Sequence, residues 1–230
     1  MPAQGVEMIS SMATRELLCE LAAQFTAVNG GAVRTQSAGG VDVAKRVAGG
    51  ENFDVVVLAA NVIDQLISAA HLLPGSRVDL VRSGIAVAIR AGAPPLAVLT
   101  EHDVRLAVLR AASMAYSSGP SGVYLTQLFQ RWGIFEQIRR RIVQAPPGVP
   151  VGTLVAQGEV ELGFQQLSEL MHLPGITVLG SLPAPIQSIT VFAAGLTVAA
   201  RLNPTAQALV RFMASDATSS AKYRHGMEPA

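Results

Sequence analysis

Apolar and polar positions follow two rhythms along this chain, and they alternate. Residues 6–9 form a short apolar run that ends at Ser10-Ser11. From 13 to 29 the apolar residues recur at helical spacing, with Leu17, Leu18, Leu21, Ala22 and Phe25 on one face. Gly30-Gly31 stops that helix. Residues 32–36 read as a second strand, Ser37-Ala38-Gly39-Gly40 as a turn, and 41–48 as a helix closed by Gly49-Gly50. Residues 53–59 are largely β-branched and apolar, the pattern of a strand buried on both faces. The order β-α-β-α-β predicts a parallel sheet with helices on its faces.

The second half repeats the alternation less evenly. Helices are expected at 61–70, 122–132, 153–157 and 205–214, the last of them terminal and capped by Asn203-Pro204. Strands are expected at 83–90, 113–116, 161–165, 176–179 and 189–199. Pro and Gly cluster at 92–95, 146–150 and 183–185, all inside the second half. That placement points to two α/β lobes with more than one crossover. There is no internal repeat.

Composition narrows the class of function. Only 14% of the residues are charged, 50% are hydrophobic, and the formal net charge is +1. A disordered chain is excluded. With no basic run beyond Arg139-Arg140-Arg141, nucleic acid is not expected as a partner. No apolar run reaches the length of a membrane span, so no membrane insertion is expected. The N-terminus, Met-Pro-Ala-Gln-Gly-Val-Glu-Met-Ile-Ser, shows no basic, apolar or Ala-x-Ala segment of a leader. We therefore expect a cytoplasmic chain if Met1 is the natural start, and a periplasmic one if a leader was removed. Cys19 is the single cysteine, so no internal disulfide is possible; its position on the first helix reads as a core thiol.

Three strand-to-helix junctions carry small hydroxyl residues. They are Ser10-Ser11-Met12, Ser37-Ala38-Gly39 and the stretch Tyr116-Ser117-Ser118-Gly119-Pro120-Ser121-Gly122-Val123-Tyr124. A helix's first turn has unpaired N–H groups and the positive end of its dipole, so Ser or Gly there suits an anion. Plain N-capping by serine is the competing reading at each junction. The glycines follow neither nucleotide-binding spacing. Gln165 and Gln166 follow a buried-looking strand and are placed to orient a polar ligand. Arg82 opens a strand and either counters a carboxylate or lies on the surface. Glu169 is either a proton carrier or part of a helix first turn. His71, His102, His172 and His225 lack metal-ligand spacing, so no metal or cofactor is expected.

The first junction, the Ser-Ala-Gly-Gly turn, the strand at 53–59 and the closing Arg211-Phe212-Met213 and His225-Gly226-Met227-Glu228-Pro229 resemble the type II periplasmic binding proteins, nearest their molybdate-binding branch. A narrower resemblance is to the aconitate isomerase family. It is carried by Gly75-Ser76-Arg77-Val78-Asp79-Leu80, by Ala115-Tyr116-Ser117 with Ser121-Gly122-Val123-Tyr124-Leu125, by Val151-Gly152, and by the run from Leu162 through Gly163-Phe164-Gln165-Gln166-Leu167-Ser168-Glu169-Leu170. The resemblance implies an α/β, two-lobed fold, each lobe a mainly parallel sheet flanked by helices, with the ligand in the interlobe cleft. Lobe one is expected at 1–81 plus 190–230 and lobe two at 82–189, with hinge strands near 81–90 and 186–199. It also implies a small anionic ligand, a tricarboxylate or an oxyanion.

Two functions of different class follow. One is a cofactor-independent allylic proton shift on an unsaturated polycarboxylate such as aconitate. Ser10, Ser11, Met12, Ser37, Ala38, Gly39, Ser117, Ser118 and Ser121 would line the ligand, Gly122 and Val123 would give N–H groups, Tyr124, Gln165, Gln166 and Arg82 would orient it, and Glu169, Tyr116 or Tyr124 would be the base. The other is a solute receptor for molybdate or an organic anion, with an ABC permease as partner if the chain is exported. A sensor of the same ligand is a weaker variant.

Overall fold

The computed structural model describes residues 5–146 and 148–230. Met1-Pro2-Ala3-Gln4 and Pro147, part of the expected leader-free start and of the 146–150 cluster, lie outside the described residues. Elements β1 (Val6–Ser11), α1 (Arg15–Asn29), β2 (Val33–Ala38), α2 (Gly40–Ala48), β3 (Val55–Ala59) and α3 (Ala60–Ser68) lead into the long strand β4 (Val78–Arg90). Then come α4 (Glu101–Arg110), β5 (Met114–Tyr116), α5 (Pro120–Arg131), α6 (Phe135–Ile138), β6 (Ile142–Gln144), α7 (Val151–Gln157), β7 (Leu162–Gln166), α8 (Leu167–Leu170) and β8 (Ile176–Ser181). The chain closes with β9 (Ile189–Leu196), α9 (Pro204–Ala214), α10 (Ser219–Arg224) and β10 (Glu228–Pro229). Two compact units result. Unit 1 is Met1–Arg82 with Val191–Ala230, and unit 2 is Ser83–Thr190.

In unit 1, β1 pairs in parallel with β2 and β3, and β9 runs antiparallel to β3. Both faces are covered. Val55 and Val57 of β3 join the core formed with α1 and α9, while Val56 and Leu58 join the core formed with α2 and α3. Period-two alternation puts neighbours on opposite faces, so a strand buried on both sides must be apolar throughout. Asn203 caps α9 by accepting from the Thr205 and Ala206 amides, both at 3.1 Å. Its Nδ2 donates to Asp54 Oδ1 at 3.2 Å.

In unit 2, β5 pairs in parallel with β6 and β7, while β4 runs antiparallel to β7 and β8. Each sheet is thus mixed, a parallel centre with antiparallel flanks. Large and small residues alternate along β4. Ile85, Val87 and Ile89 fill the core beneath α4 and α5, and Ala86 and Ala88 leave room for Leu170 on the other face. Phe129 sits edge-on to Phe164, ring centres 6.2 Å apart.

The structure departs from the sequence reading at several points. Ser37 and Ala38 end strand β2 instead of forming a turn, in register with Ser10 and Ser11 of β1. Strand β4 begins at Val78, well before 83. Helix α4 was not foreseen, although Thr100 and Asp103 close a reciprocal capping box at its start. Helix α9 is not terminal, since α10 follows. Cys19 is exposed, its Sγ 3.5 Å from Thr35 Oγ1, because it lies one step off the buried Leu17–Leu18 face of α1. Arg139, Arg140 and Arg141, which the sequence suggests lie on a solvated helix face, form a 3-10 turn in which Arg141 donates to the carbonyls of Leu109 and Ala111.

Candidate functional site

The serines at the junctions do not cap their helices. Elsewhere in the chain caps are closed by side chains, at Thr100 and at Asn203. Ser11 makes no side-chain cap hydrogen bond, and at the other two junctions the N-cap position is held by Gly39 and Gly119, which have no side chain to make one. The N-capping reading therefore does not hold at these three places, and the first-turn donors there are not consumed by their own side chains.

In unit 1, parallel pairing of β1 with β2 sets Ser10 beside Ser37, their hydroxyls 2.9 Å apart. Ser10 Oγ also contacts the Ser11 carbonyl at 3.2 Å. That carbonyl accepts Thr14 Oγ1 as well, at 3.2 Å. Ser11 is only 8% exposed, and its hydroxyl has no partner. A buried hydroxyl that bonds to no protein group is open to a partner from outside the chain. Met12 begins the 3-10 turn that leads into α1. Ala38 and Gly39 lead into α2, where the Asp42 carboxylate already reaches back towards Gly39. Arg82 lies in unit 1 at the start of β4's pairing with β10, its guanidinium 3.9 Å from Glu228.

In unit 2, the loop after β5 folds tightly over α5. Ser117 Oγ is 3.5 Å from Ser121 Oγ and accepts weakly from the Gly119 amide at 3.4 Å. Ser118 is exposed and Ser121 is buried. A Cβ on Gly122 would stand 1.7 Å from the Ser117 carbonyl oxygen, so only glycine lets the loop approach the helix this closely. The Gly122 and Val123 amides both donate to the Gly119 carbonyl, at 3.0 and 3.2 Å. They are spent inside the helix, which corrects the expectation that they offer N–H groups to a ligand. Pro120 at the first helical position has no N–H to give.

Both tyrosine hydroxyls are engaged. Tyr116 is 3.0 Å from Thr126 Oγ1, and Tyr124 donates to the Ile186 carbonyl at 2.9 Å. Gln165 is buried and bonded at both ends: its Oε1 accepts from the Val151 amide at 2.8 Å, and its Nε2 donates to Glu169 Oε1 at 2.6 Å. Gln166, with its amide turned to suit its neighbours, donates to the Ser83 and Gly84 carbonyls at 3.1 and 3.2 Å and accepts from Thr190 Oγ1 at 3.0 Å. These two glutamines thus brace the unit from within.

Glu169 is the unusual titratable group. Burial pushes its carboxyl from the ordinary 4.5 up to about 7, against the pull of the Gln165 amide. Next to it in sequence, the Ser168 hydroxyl is buried without a partner. Sequence reasoning missed Ser168. Among the described residues, the two buried side-chain polar atoms without partners are Ser11 Oγ and Ser168 Oγ, one at a strand-to-helix junction of each unit. Part of the motif at 75–80 is scaffold. Ser76 Oγ donates to the Leu73 carbonyl and accepts from the Leu196 amide, and Arg77 pairs with Asp64 and Asp79. No group of three or more His, Cys, Asp or Glu side chains placed to hold a metal occurs among the described residues. No helix among them is long and apolar enough to cross a membrane.

Comparison with known proteins bears on this arrangement. The family described as bacterial extracellular solute-binding protein matches residues 6–228. An aconitate isomerase from a Pseudomonas species is 35% identical over 188 residues, covering 81% of this chain and 71% of that protein. The periplasmic molybdate-binding protein of Azotobacter vinelandii superposes with a TM-score of 0.81 at 21% identity, covering 96% of this chain and 98% of that one. The sulfate-binding protein SubI of Mycobacterium tuberculosis gives 0.77 at 15% identity, over 99% and 87% of the two chains. At such identities the two solved structures speak for the fold: the α/β architecture is that of the periplasmic binding proteins.

Proposed function

The chain belongs to the bacterial extracellular solute-binding protein family, and we propose that within it this member is a cofactor-independent isomerase of a small unsaturated polycarboxylate, with aconitate as the substrate to test first. The observation that carries the reading is Glu169. Glu169 is a carboxyl raised to about 7 by burial, in the short helix that follows β7. An enzyme that moves a proton needs one, and a carboxyl that titrates at about 7 is suited both to take and to return it. The 35% identity to an aconitate isomerase supports the same choice.

The chemistry is an allylic shift. Glu169 takes a proton from the methylene carbon, and the electron pair moves into the neighbouring double bond and carboxylate. The proton returns at the far carbon of the allylic unit, so the double bond has moved and nothing else is gained or lost. Each unit by itself offers hydroxyl donors suited to a carboxylate: Ser10, Ser11 and Ser37 in unit 1, and Ser117, Ser118, Ser121 and Ser168 in unit 2. Ser11 and Ser168 gain in the complex the partners they lack. Glu169, raised to about 7, is the base we favour.

The second reading is a solute receptor for an oxyanion or organic anion. The family's description and the molybdate- and sulfate-binding structures favour it. It entails an exported, periplasmic chain and an ABC permease, neither of which the isomerase needs. Incubation with trans-aconitate in deuterated water, followed by proton NMR, separates the two. Appearance of the cis isomer, or exchange of the methylene protons, is expected. No turnover, with a thermal shift produced by molybdate or sulfate and none by aconitate, would replace the isomerase with the receptor.

A further inference from the structure

A cavity of about 330 Å³ opens in unit 2 beside the junction that leads into α5. That is within the size range of small-molecule sites. Its lining divides by chemistry. Val123, Phe135 and Ile142 make an apolar wall; Ser118, Gln144 and Arg139 supply polar groups. Ser118, in the loop before α5, and Gly122, in the first turn of α5, both line it, so the serine loop and the cavity share a wall. Gln144 ends β6 in register with Tyr116, which ends β5; the polar end therefore sits at the carboxyl ends of two parallel strands.

Arg139 is the cation of this cavity. Its guanidinium is exposed and pairs with Glu136, 3.0 Å away on the same short helical stretch. A solvated pair of this kind contributes little stability, so Glu136 is readily exchanged for another carboxylate. Arg82, read from the sequence as either a carboxylate counter-charge or a surface residue, lies beside Glu228 in unit 1.

We infer that this cavity receives the one carboxylate arm that distinguishes a tricarboxylate from a dicarboxylate, with Arg139 as its counter-charge and Gln144 as a second donor. The inference rests on the polycarboxylate reading above and adds its selectivity. The planar fork of an arginine matches a carboxylate edge-on, and the apolar wall takes the carbon skeleton. Ligand and Glu136 compete for the same guanidinium, so Glu136 tunes affinity for the third arm alone.

The test is calorimetric titration of the wild-type chain, Arg139→Gln and Glu136→Gln with trans-aconitate and with mesaconate, which has a methyl group in place of one carboxymethyl arm. Arg139→Gln is expected to weaken trans-aconitate about tenfold to a hundredfold, the range for a lost charge-assisted hydrogen bond, and to leave mesaconate within about threefold. Glu136→Gln is expected to tighten trans-aconitate and leave mesaconate alone. Equal weakening of both ligands by Arg139→Gln, or no effect on either, overturns the assignment while the polycarboxylate reading stands. A wild-type chain that binds neither ligand overturns both.

Discussion

Replacing Glu169 by Gln isolates the group on which the proposed chemistry turns. The substitution is nearly isosteric, and the new Oε1 can still accept from Gln165 Nε2, as the carboxylate does at 2.6 Å. What it removes is the ionisation. In the folded chain the carboxyl titrates at about 7; in the unfolded chain it returns to about 4.5. The sign follows from linkage. The folded state binds the extra proton between those two values, so its stability is greatest below 4.5 and falls as the pH rises through 7. At 1.36 kcal/mol per decade the gap amounts to about 3 kcal/mol, and residual solvent contact of the side chain makes that a ceiling. Urea unfolding of both proteins at pH 5 and pH 8 measures it. Every other titratable group is common to both chains, so the difference between wild type and Glu169→Gln isolates residue 169. We expect the variant to be more stable relative to wild type at pH 8 than at pH 5, by about 1–3 kcal/mol. The same variant should lose deuterium exchange into trans-aconitate by at least about a hundredfold. A difference between the proteins that does not change with pH would refute the argument from burial. Exchange at the wild-type rate would remove Glu169 as the base.

Three further outcomes test other parts of the structure. Ser11→Ala should leave the melting temperature unchanged or slightly raised, since the buried hydroxyl has no partner to lose, while cutting the thermal shift given by a carboxylate ligand. A clear fall in melting temperature would mean that the hydroxyl already has a structural role. Gly122→Ala drives a methyl group into the Ser117 carbonyl and should destabilise the chain by about 3 kcal/mol or more, read by denaturant midpoint; a change under about 1 kcal/mol would show that the loop yields easily. Asn203→Ala removes the cap of α9 and the tie to Asp54, and chemical unfolding should register a loss of about 1–2 kcal/mol, whereas a neutral result would mean that water replaces both bonds.

Much of the architecture was legible because β3, buried on both faces, must be apolar throughout, and because α1 presents Leu17, Leu18, Leu21, Ala22 and Phe25 at helical spacing. Strand direction was not legible. Whether β9 runs with or against β3 depends on where the chain returns, and no local pattern encodes it. Helix α4 was missed because its buried stripe is only Val104, Ala107 and Val108 among charged residues, although Thr100 and Asp103 carry a capping signature that could have found it. The serine junctions were visible as composition, but their use was not. The structure separates Ser10 and Ser37, bonded to each other, from Ser11, which is bonded to nothing, and residue type alone cannot make that distinction. Gln165 and Gln166 read as ligand-facing polar residues; the fold uses them as internal ties. Ser168 carried no signal beyond its place after a buried strand.

The Gln166 tie has a bearing on the order of folding. Ser83 and Thr190 are the first and last residues of unit 2, and one side-chain amide reaches both. Unit 2 is therefore contiguous in sequence with its ends already together, whereas unit 1 needs residues from both sides of it, as in the pairing of Val55 with Leu196. If unit 2 folds first, it closes the loop that otherwise separates β3 from β9. The length-dependent part of that closure is about 4 kcal/mol for about 100 flexible residues. A chain that completes its inserted unit early spares the outer unit this cost. Refolding should then show β9 docking last, as a phase slowed by Gln166→Ala.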